Sequence, residues 1–353
     1  MEANNSGNQV AGALTYPDRN DDNVESVPIQ PRQPSNLQGL LRFAMEATKS
    51  EDAPGTSEFS PMDDERRTFL EEALKSLTVD VPKVLMDAVK VLSDAEKMNS
   101  IQLGQELPDD VAAAFFNIQE FICDIDVAND FHKIGGFSIF PICLSSENAT
   151  VRMEALTILA EMCQNNPYGQ ARALDAGLMY MLVQLANTEE GNFLVTCLYA
   201  ISCMCRGYGP ACDELFANGG GALLSDLVRN PNIRVRTKAA FLVSFLAINH
   251  PSAKEIFLEN NVIGNIATSL DRGLDGSTSC TLHALHALLQ GQELPPQVND
   301  PKIKLKKVLE KLENTKEIKY AEYTDERKVL KNIMKILKNV PEVEDVNDEE
   351  ADR

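Results

Sequence analysis

The stretch RNPNIRVRTKAAFLVSFLAINHPSAKEIFLENN, Arg229 to Asn261, holds a polar turn, a long apolar run, a second turn and a shorter run. Val235, Ala239, Leu242, Val243 and Leu246 recur at helical spacing, which predicts an amphipathic helix with one buried stripe. Asn230 and Pro231 mark the turn before it. His250-Pro251 ends it, because proline's fixed φ and missing N–H stop one helix and pre-set the first turn of the next. Asn261 closes that second helix.

The same pattern returns on both sides. Ala155, Cys197, Ala239 and Thr281 fall at intervals of 42 residues, each inside a helical apolar run. Pro167, Pro210 and Pro251 are each followed ten residues later by Gly177, Gly220 and Asn261, residue types that tolerate the left-handed conformation at a helix end. A third apolar run follows each of them. Three helices in a period of about 42 residues predict an all-α, right-handed armadillo or HEAT-like solenoid, in which stacked units bury what no unit buries alone. Four units are visible, and a weaker, shifted copy precedes them, with AAFFNIQEFICDI as its long helix and Gly135-Gly136 as its break. About four to five repeats, with helical caps at both ends, are therefore expected.

In order, the expected segments are 1–35, a disordered tail poor in large apolar residues; 36–49, a short apolar cluster; 50–60, a polar linker; 61–110, capping helices; 111–290, the repeats; 291–340, capping helices after a proline-rich break; and 341–353, an acidic tail. Ser60-Pro61-Met62-Asp63 is a helix start, and a second capping helix is expected over Val84 to Ser93. Ile303 to Leu337 reads as charged helix with Tyr320 in its apolar set. The cluster at 36–49 is too short to hold a helix alone in water. It is either a fraying helix docked on the core or an exposed binding peptide.

A net charge of −20 argues against nucleic acid and acidic membranes as partners. No apolar block is long enough for a membrane span, and no secretory signal is read at the start, so a cytoplasmic address, with nuclear entry open, is expected. The eight cysteines are then expected as free thiols, and the sequon at Asn148 as unglycosylated.

No catalytic, metal or cofactor constellation is expected. Gly219-Gly220-Gly221 lacks the following Lys-Ser/Thr of a phosphate loop and reads as a helix-ending turn. His283 and His286 share a helix face, but no nearby carboxylate or thiolate pair completes a metal site. Cys203 and Cys205 lack redox spacing. The chain is read as a binding protein, not an enzyme.

The informative surface is the stripe beside the buried one on each long helix. Arg234, Lys238, Phe241 and Phe245 form it in the quoted unit. One period earlier stand Asn192, Thr196, Tyr199 and Cys203, with Arg206 beyond; two periods earlier, Thr150, Glu154, Thr157 and Glu161; one period later, His283. In an armadillo stack such residues line a groove and face a partner. Phe245 reads equally as core or groove.

NLQGLL (Asn36 to Leu41), PMDDERRTFLEEA (Pro61 to Ala73), DVANDF (Asp126 to Phe131), VTCLYAISCMCR (Val195 to Arg206) and TKAAFLVSFLAINHPSAK (Thr237 to Lys254) occur in the same order as in a known family. The chain resembles the armadillo-type nucleotide-exchange factors of the seventy-kilodalton heat-shock chaperones, the cytosolic Hsp-binding-protein-one family. The resemblance implies a monomer that clasps lobe II of the chaperone ATPase domain, opens the nucleotide cleft and promotes ADP release and client discharge. It implies chaperone contacts at Ala128, with Asn129 beside it, at Arg206 and at Lys238. It implies a release peptide at Leu37, Leu40, Leu41, Phe43 and Met45, directed to the chaperone's client-binding domain. Phe245 and the stretch Met98 to Val111 depart from the family pattern. The alternative is an armadillo scaffold or peptide-binding adaptor of the import-receptor kind. Those read basic peptides with a Trp/Asn ladder, and this chain has no Trp.

Overall fold

The computed structural model describes residues 79–291 and 294–338, together with Asp64, Arg67 and Thr68. The chain divides between Val79 and Asp80 into two units. In the first, Asp64, Arg67 and Thr68 are helical and Val79 is not. The expected segments 1–35, 36–49, 50–60 and 341–353, and the helix start at Ser60, lie outside the described residues. The second unit is built from helices, with no strand among the described residues.

It opens with α1 (Val81–Leu92) and α2 (Ala95–Ser100). The first helix begins earlier than Val84 because Asp80 caps it, its carboxylate accepting from the Lys83 amide at 3.2 Å, with Pro82 in the first turn. The second is a helix where sequence suggests only a polar stretch. Asp94 caps it, and Met98 is fully buried.

The repeats follow as long helix, short helix, corner, short helix. Their helices are α3 (Asp109–Ile122), α4 (Ile125–Lys133) and α5 (Ile139–Leu144); then α6 (Ala149–Cys163), α7 (Pro167–Asp175) and α8 (Leu178–Thr188). Next come α9 (Gly191–Cys205), α10 (Gly209–Ala217) and α11 (Gly220–Leu227), then α12 (Ile233–Asn249), α13 (Ala253–Glu259) and α14 (Val262–Leu270). A further long helix, α15 (Thr278–Leu289), starts the next unit. Each long helix packs on the next, from α3 through α6, α9 and α12 to α15. Ala155, Cys197, Ala239 and Thr281 are all fully buried in that stack. So are Val235, Val243 and Leu246, with Leu242 at 1 % exposure.

The corners keep the period more strictly than the prolines do. Gly135, Gly177, Gly219 and Asn261 have φ of 87°, 71°, 87° and 55°, in the left-handed region. The third member is Gly219 and not Gly220, because α10 begins one residue before Pro210. Gly220 is instead the first residue of α11, pressed so closely on Leu215 that a Cβ would collide with it.

The repeat also runs further than its sequence signature. After α15, a short 3-10 turn (Pro296–Asn299) stands for the second helix, Lys304 takes the left-handed corner with φ 53°, and α16 (Leu305–Asn314) packs on α14 as a third helix. The last helix, α17 (Thr324–Lys338), then stacks on α15 as another long helix. The C-terminal cap is thus a worn continuation of the solenoid. It is not one helix: two 3-10 turns interrupt it, and Tyr320, expected in its apolar set, is 57 % exposed.

A buried arginine ties two units of the stack. Arg236 is 3 % exposed. It donates from Nη1 to the Asn230 and Pro231 carbonyls at 2.6 and 2.9 Å, from Nε to Ser277 Oγ at 3.1 Å, and pairs through Nη2 with Asp275. Burying a charge is tolerable only when it is paired and hydrogen-bonded in this way. Burial raises the Asp275 pKa, but the Ser277 hydroxyl and amide and the Arg236 charge outweigh it and hold the carboxyl below its ordinary value. Asn148 is likewise buried, capping α6 with its carbonyl and donating to the Gln102 and Gln105 carbonyls, so its amide is unavailable for glycosylation.

Candidate functional site: the face of the long helices

Because the long helices stack with their apolar stripes inward, their adjoining stripes form one continuous surface across five helices. Contacts between neighbouring helices tie it together. On α12, Lys238 sets its ammonium 5.0 Å from the centre of the Tyr199 ring of α9. The Arg206 guanidinium at the end of α9 stands 5.6 Å from the Phe241 ring of α12. Arg234 donates to Asn192 Oδ1 at 3.4 Å, and Tyr199 donates its hydroxyl to Gln164 Oε1 at 3.3 Å. Gln119 of α3 donates to Glu154 of α6 at 2.6 Å.

A pocket of about 220 Å³ opens between these residues, with Tyr199, Arg206, Lys238 and Phe241 on its walls. Burial, reinforced by neighbouring Cys203, pushes the Tyr199 pKa up to about 12. Its phenol therefore stays a neutral donor at physiological pH. Burial likewise raises Cys203, as it does Cys280. Neither thiol is activated as a nucleophile.

The structure brings most of the expected residues onto this face. Phe241 is 41 % exposed, Arg206, Arg234 and His283 are exposed, and Glu161, Tyr199 and Lys238 are half-buried. Phe245 is half-buried against the core. Ala128 is the correction: it is 3 % exposed inside α4, because it lies on the inward side of that helix with Phe131. Asn129 beside it is half-buried and accepts from Asn166 Nδ2 at 3.1 Å, a link between successive units. The release-peptide residues Leu37, Leu40, Leu41, Phe43 and Met45 lie outside the described residues.

Sequence reasoning missed Gln164, Asn165, Thr237 and Cys280, which also line the pocket. Asn165 has φ 52°, and the Asn165-Asn166 pair was the only signal for it. It also missed Phe116, which is 64 % exposed on α3. The helix of that first copy ends at Ile122 and the next at Cys163, one residue short of the 42-residue period. With that slip, Phe116 is the counterpart of Thr157, Tyr199, Phe241 and His283.

Other chemistry is weak. Ser252 Oγ stands 3.3 Å from His250 Nδ1, and His250 Nε2 3.0 Å from Asp213 Oδ1. That is a hydrolase-like order, but the Asp213 side chain is 74 % exposed and Ser252 sits at the start of α13. No group of three His, Cys, Asp or Glu suited to a metal occurs among the described residues. No helix among them is long and apolar enough to cross a membrane.

Comparisons with known proteins bear on this surface. Residues 37–131 match the family described as nucleotide exchange factor Fes1, and residues 127–263 match the SIL1/FES1/HPBP1 C-terminal domain. Hsp70-binding protein 1 of Mus musculus is 26 % identical over 230 residues, covering 64 % of each chain. The chain thus spans about two thirds, 64 %, of that relative's length. Hsp70 nucleotide exchange factor FES1 of Gibberella zeae is 34 % identical over 112 residues, 31 % of this chain and 52 % of that one. Among solved structures, a designed armadillo repeat protein superposes with a TM-score of 0.56 at 15 % identity, covering 73 % of this chain and 100 % of that one. The last likeness speaks for the fold alone: this is an armadillo solenoid.

Proposed function

We propose that this chain, which belongs to the SIL1/FES1/HPBP1 family, is a co-chaperone that grips the ATPase domain of a seventy-kilodalton heat-shock chaperone and speeds ADP release. The observation that carries this reading is the continuous face of aromatic and charged side chains across the long helices, with no group of three metal-ligating side chains among the described residues. An exchange factor needs none. A protein that binds the cleft-open state more tightly than the closed one shifts the population by that difference in affinity alone.

Within this reading the chain acts as a cytoplasmic monomer, lobe II of the ATPase domain is the contacted surface, and the apolar peptide at 36–49 engages the client-binding domain to discharge the client. A basic targeting peptide, the ligand of the alternative adaptor reading, is disfavoured by Arg206, Arg234 and Lys238 on the same face. The test is stopped-flow release of a fluorescent ADP from the chaperone. Release should accelerate severalfold or more at saturating protein, with no ATP hydrolysis by the protein itself. An unchanged rate would sink the reading. Removing residues 1–49 should leave that acceleration intact and slow client discharge.

A further inference from the structure

The thiols of this chain are not alike. Burial pushes Cys143 and Cys197 up to about 12 and raises Cys163 as well, so those three are inert. Cys205 and Cys212 differ because they meet. Cys205 is the last residue of α9, and Gly207, with φ 73°, turns the chain so that the first turns of α10 lie against that helix end. Cys205 Sγ donates to the Ala211 carbonyl at 3.8 Å, and Cys212 Sγ reaches the Cys205 and Tyr208 carbonyls at 3.4 and 3.6 Å. The two thiols also hydrogen-bond each other. Cys203, two residues before Cys205, points away to Tyr199, as that spacing on a helix requires.

The contact makes the pair unequal. The Cys205 thiol donates to the Cys212 sulfur and holds Cys212 below its ordinary value, although burial and Asp213 push the other way. The same contact, with burial, raises Cys205. Cys212 also keeps 5 % exposure, between exposed Pro210 and Asp213 on α10, against 1 % for Cys205. One sulfur stands nearer the surface and a second is enclosed behind it, which is the arrangement of an attacking and a resolving thiol. We infer that Cys212 and Cys205 are a peroxide-sensitive pair that closes to a disulfide between the end of α9 and the start of α10.

The chemistry balances with hydrogen peroxide as the oxidant. The Cys212 thiolate attacks one peroxide oxygen, the O–O bond breaks, and the departing hydroxide takes up the proton the thiol had released, leaving Cys212 as a sulfenic acid and one water. The Cys205 sulfur then attacks the Cys212 sulfur, the S–O bond breaks, and the hydroxyl leaves with the Cys205 proton as a second water. Both thiols are oxidised and one peroxide is reduced. A disulfide has no S–H to give, so closure also removes the sulfur donors from the Cys205, Tyr208 and Ala211 carbonyls.

The inference stands apart from the exchange-factor reading and is tested on the full chain alone. The reduced protein, at low concentration, is treated with hydrogen peroxide, denatured in iodoacetamide and digested with trypsin without reductant. Cleavage after Arg206 puts the two cysteines on separate peptides, Ala173 to Arg206 and Gly207 to Arg229, so a bond between them gives one joined species that dithiothreitol splits. Fragmentation should place that bond at Cys205, with Cys197 and Cys203 alkylated. Cys205→Ser should strand Cys212 as a sulfenic acid that dimedone captures, and Cys212→Ser should leave Cys205 fully alkylated. Circular dichroism of the reduced variants checks their fold, and the wild-type digest decides the matter even where a variant fails to fold. Cys205 and Cys212 both alkylated in the treated wild type while exposed Cys123 is oxidised, or Cys212 joined to Cys203 instead, overturns the pair.

Discussion

Arg152 and Arg236 hold one and the same place, two units apart. Arg152 donates from Nη1 to the Ser146 and Glu147 carbonyls at 2.7 and 3.1 Å, as Arg236 does to those of Asn230 and Pro231. Each then reaches an acid of the following unit, Glu189 at 3.0 Å for Arg152 and Asp275 for Arg236. The guanidinium is a five-donor fork that closes a helix start and ties it to the next turn of the solenoid.

Arg236→Ala is therefore expected to be severe. It leaves Asp275 without its cation and the Pro231 carbonyl without its donor, while the Asn230 carbonyl keeps only Arg272, a loss of about 3–5 kcal/mol in comparable buried pairs. Thermal melting followed by circular dichroism checks it, with Arg229→Ala, on the surface, as the near-neutral comparison. The pH dependence has a definite sign. The Asp275 carboxyl is held below its ordinary value in the fold, so its contribution is present above the unfolded pKa and is lost as pH falls through the folded one. Stability of the wild type should drop on acidification below about pH 4. Asp275→Asn should show a smaller drop over the same window.

The corner positions offer a graded series. Gly177→Ala and Gly219→Ala place a Cβ in the left-handed region and should each cost about 1 kcal/mol or more. Lys304→Gly works in the opposite sense, relieving a non-glycine residue at φ 53°, and should be neutral or stabilising by up to about 1 kcal/mol. Chemical denaturation midpoints would rank the three. Lys304→Gly destabilising the chain as strongly as the alanines would contradict the corner assignment.

Phe116 and Ala128 should separate binding from folding. Phe116→Ala removes a ring that is 64 % exposed, so melting should be unchanged while partner affinity falls about tenfold. Ala128→Arg forces a long cation into the inward side of α4 and should destabilise the first repeat by several kcal/mol. Calorimetric titration alongside a melting curve distinguishes the two. A folded Ala128→Arg protein that has lost only its binding would restore Ala128 to the contact surface.

The helices and their period were legible because apolar spacing reports which side of a helix is buried. Val235, Ala239 and Val243 behave accordingly. What was not legible is position along the third dimension of the stack. Ala128 looks the same in sequence whether it faces a groove or the core, since alanine suits both. Phe116 was hidden by a one-residue slip that moves a stripe by about a third of a turn. Arg236 reads as a surface charge, and only the carbonyls of Asn230 and Pro231 and the Asp275 carboxylate reveal it as interior. The pocket combines residues from three long helices and the turn after α6, and no short-range pattern joins Gln164 to Cys280.

The left-handed corners carry one more consequence. Since Gly135, Gly177, Gly219 and Asn261 recur at a fixed interval, the chain passes the same backbone geometry, heading the same way, once in every unit. Excising the segment from just after one corner to the end of the next would rejoin matching ends and yield a shorter coil with its remaining layers in register. The length of this protein is thus adjustable in whole steps, and the number of layers, more than the identity of any one, sets how long a face its long helices present.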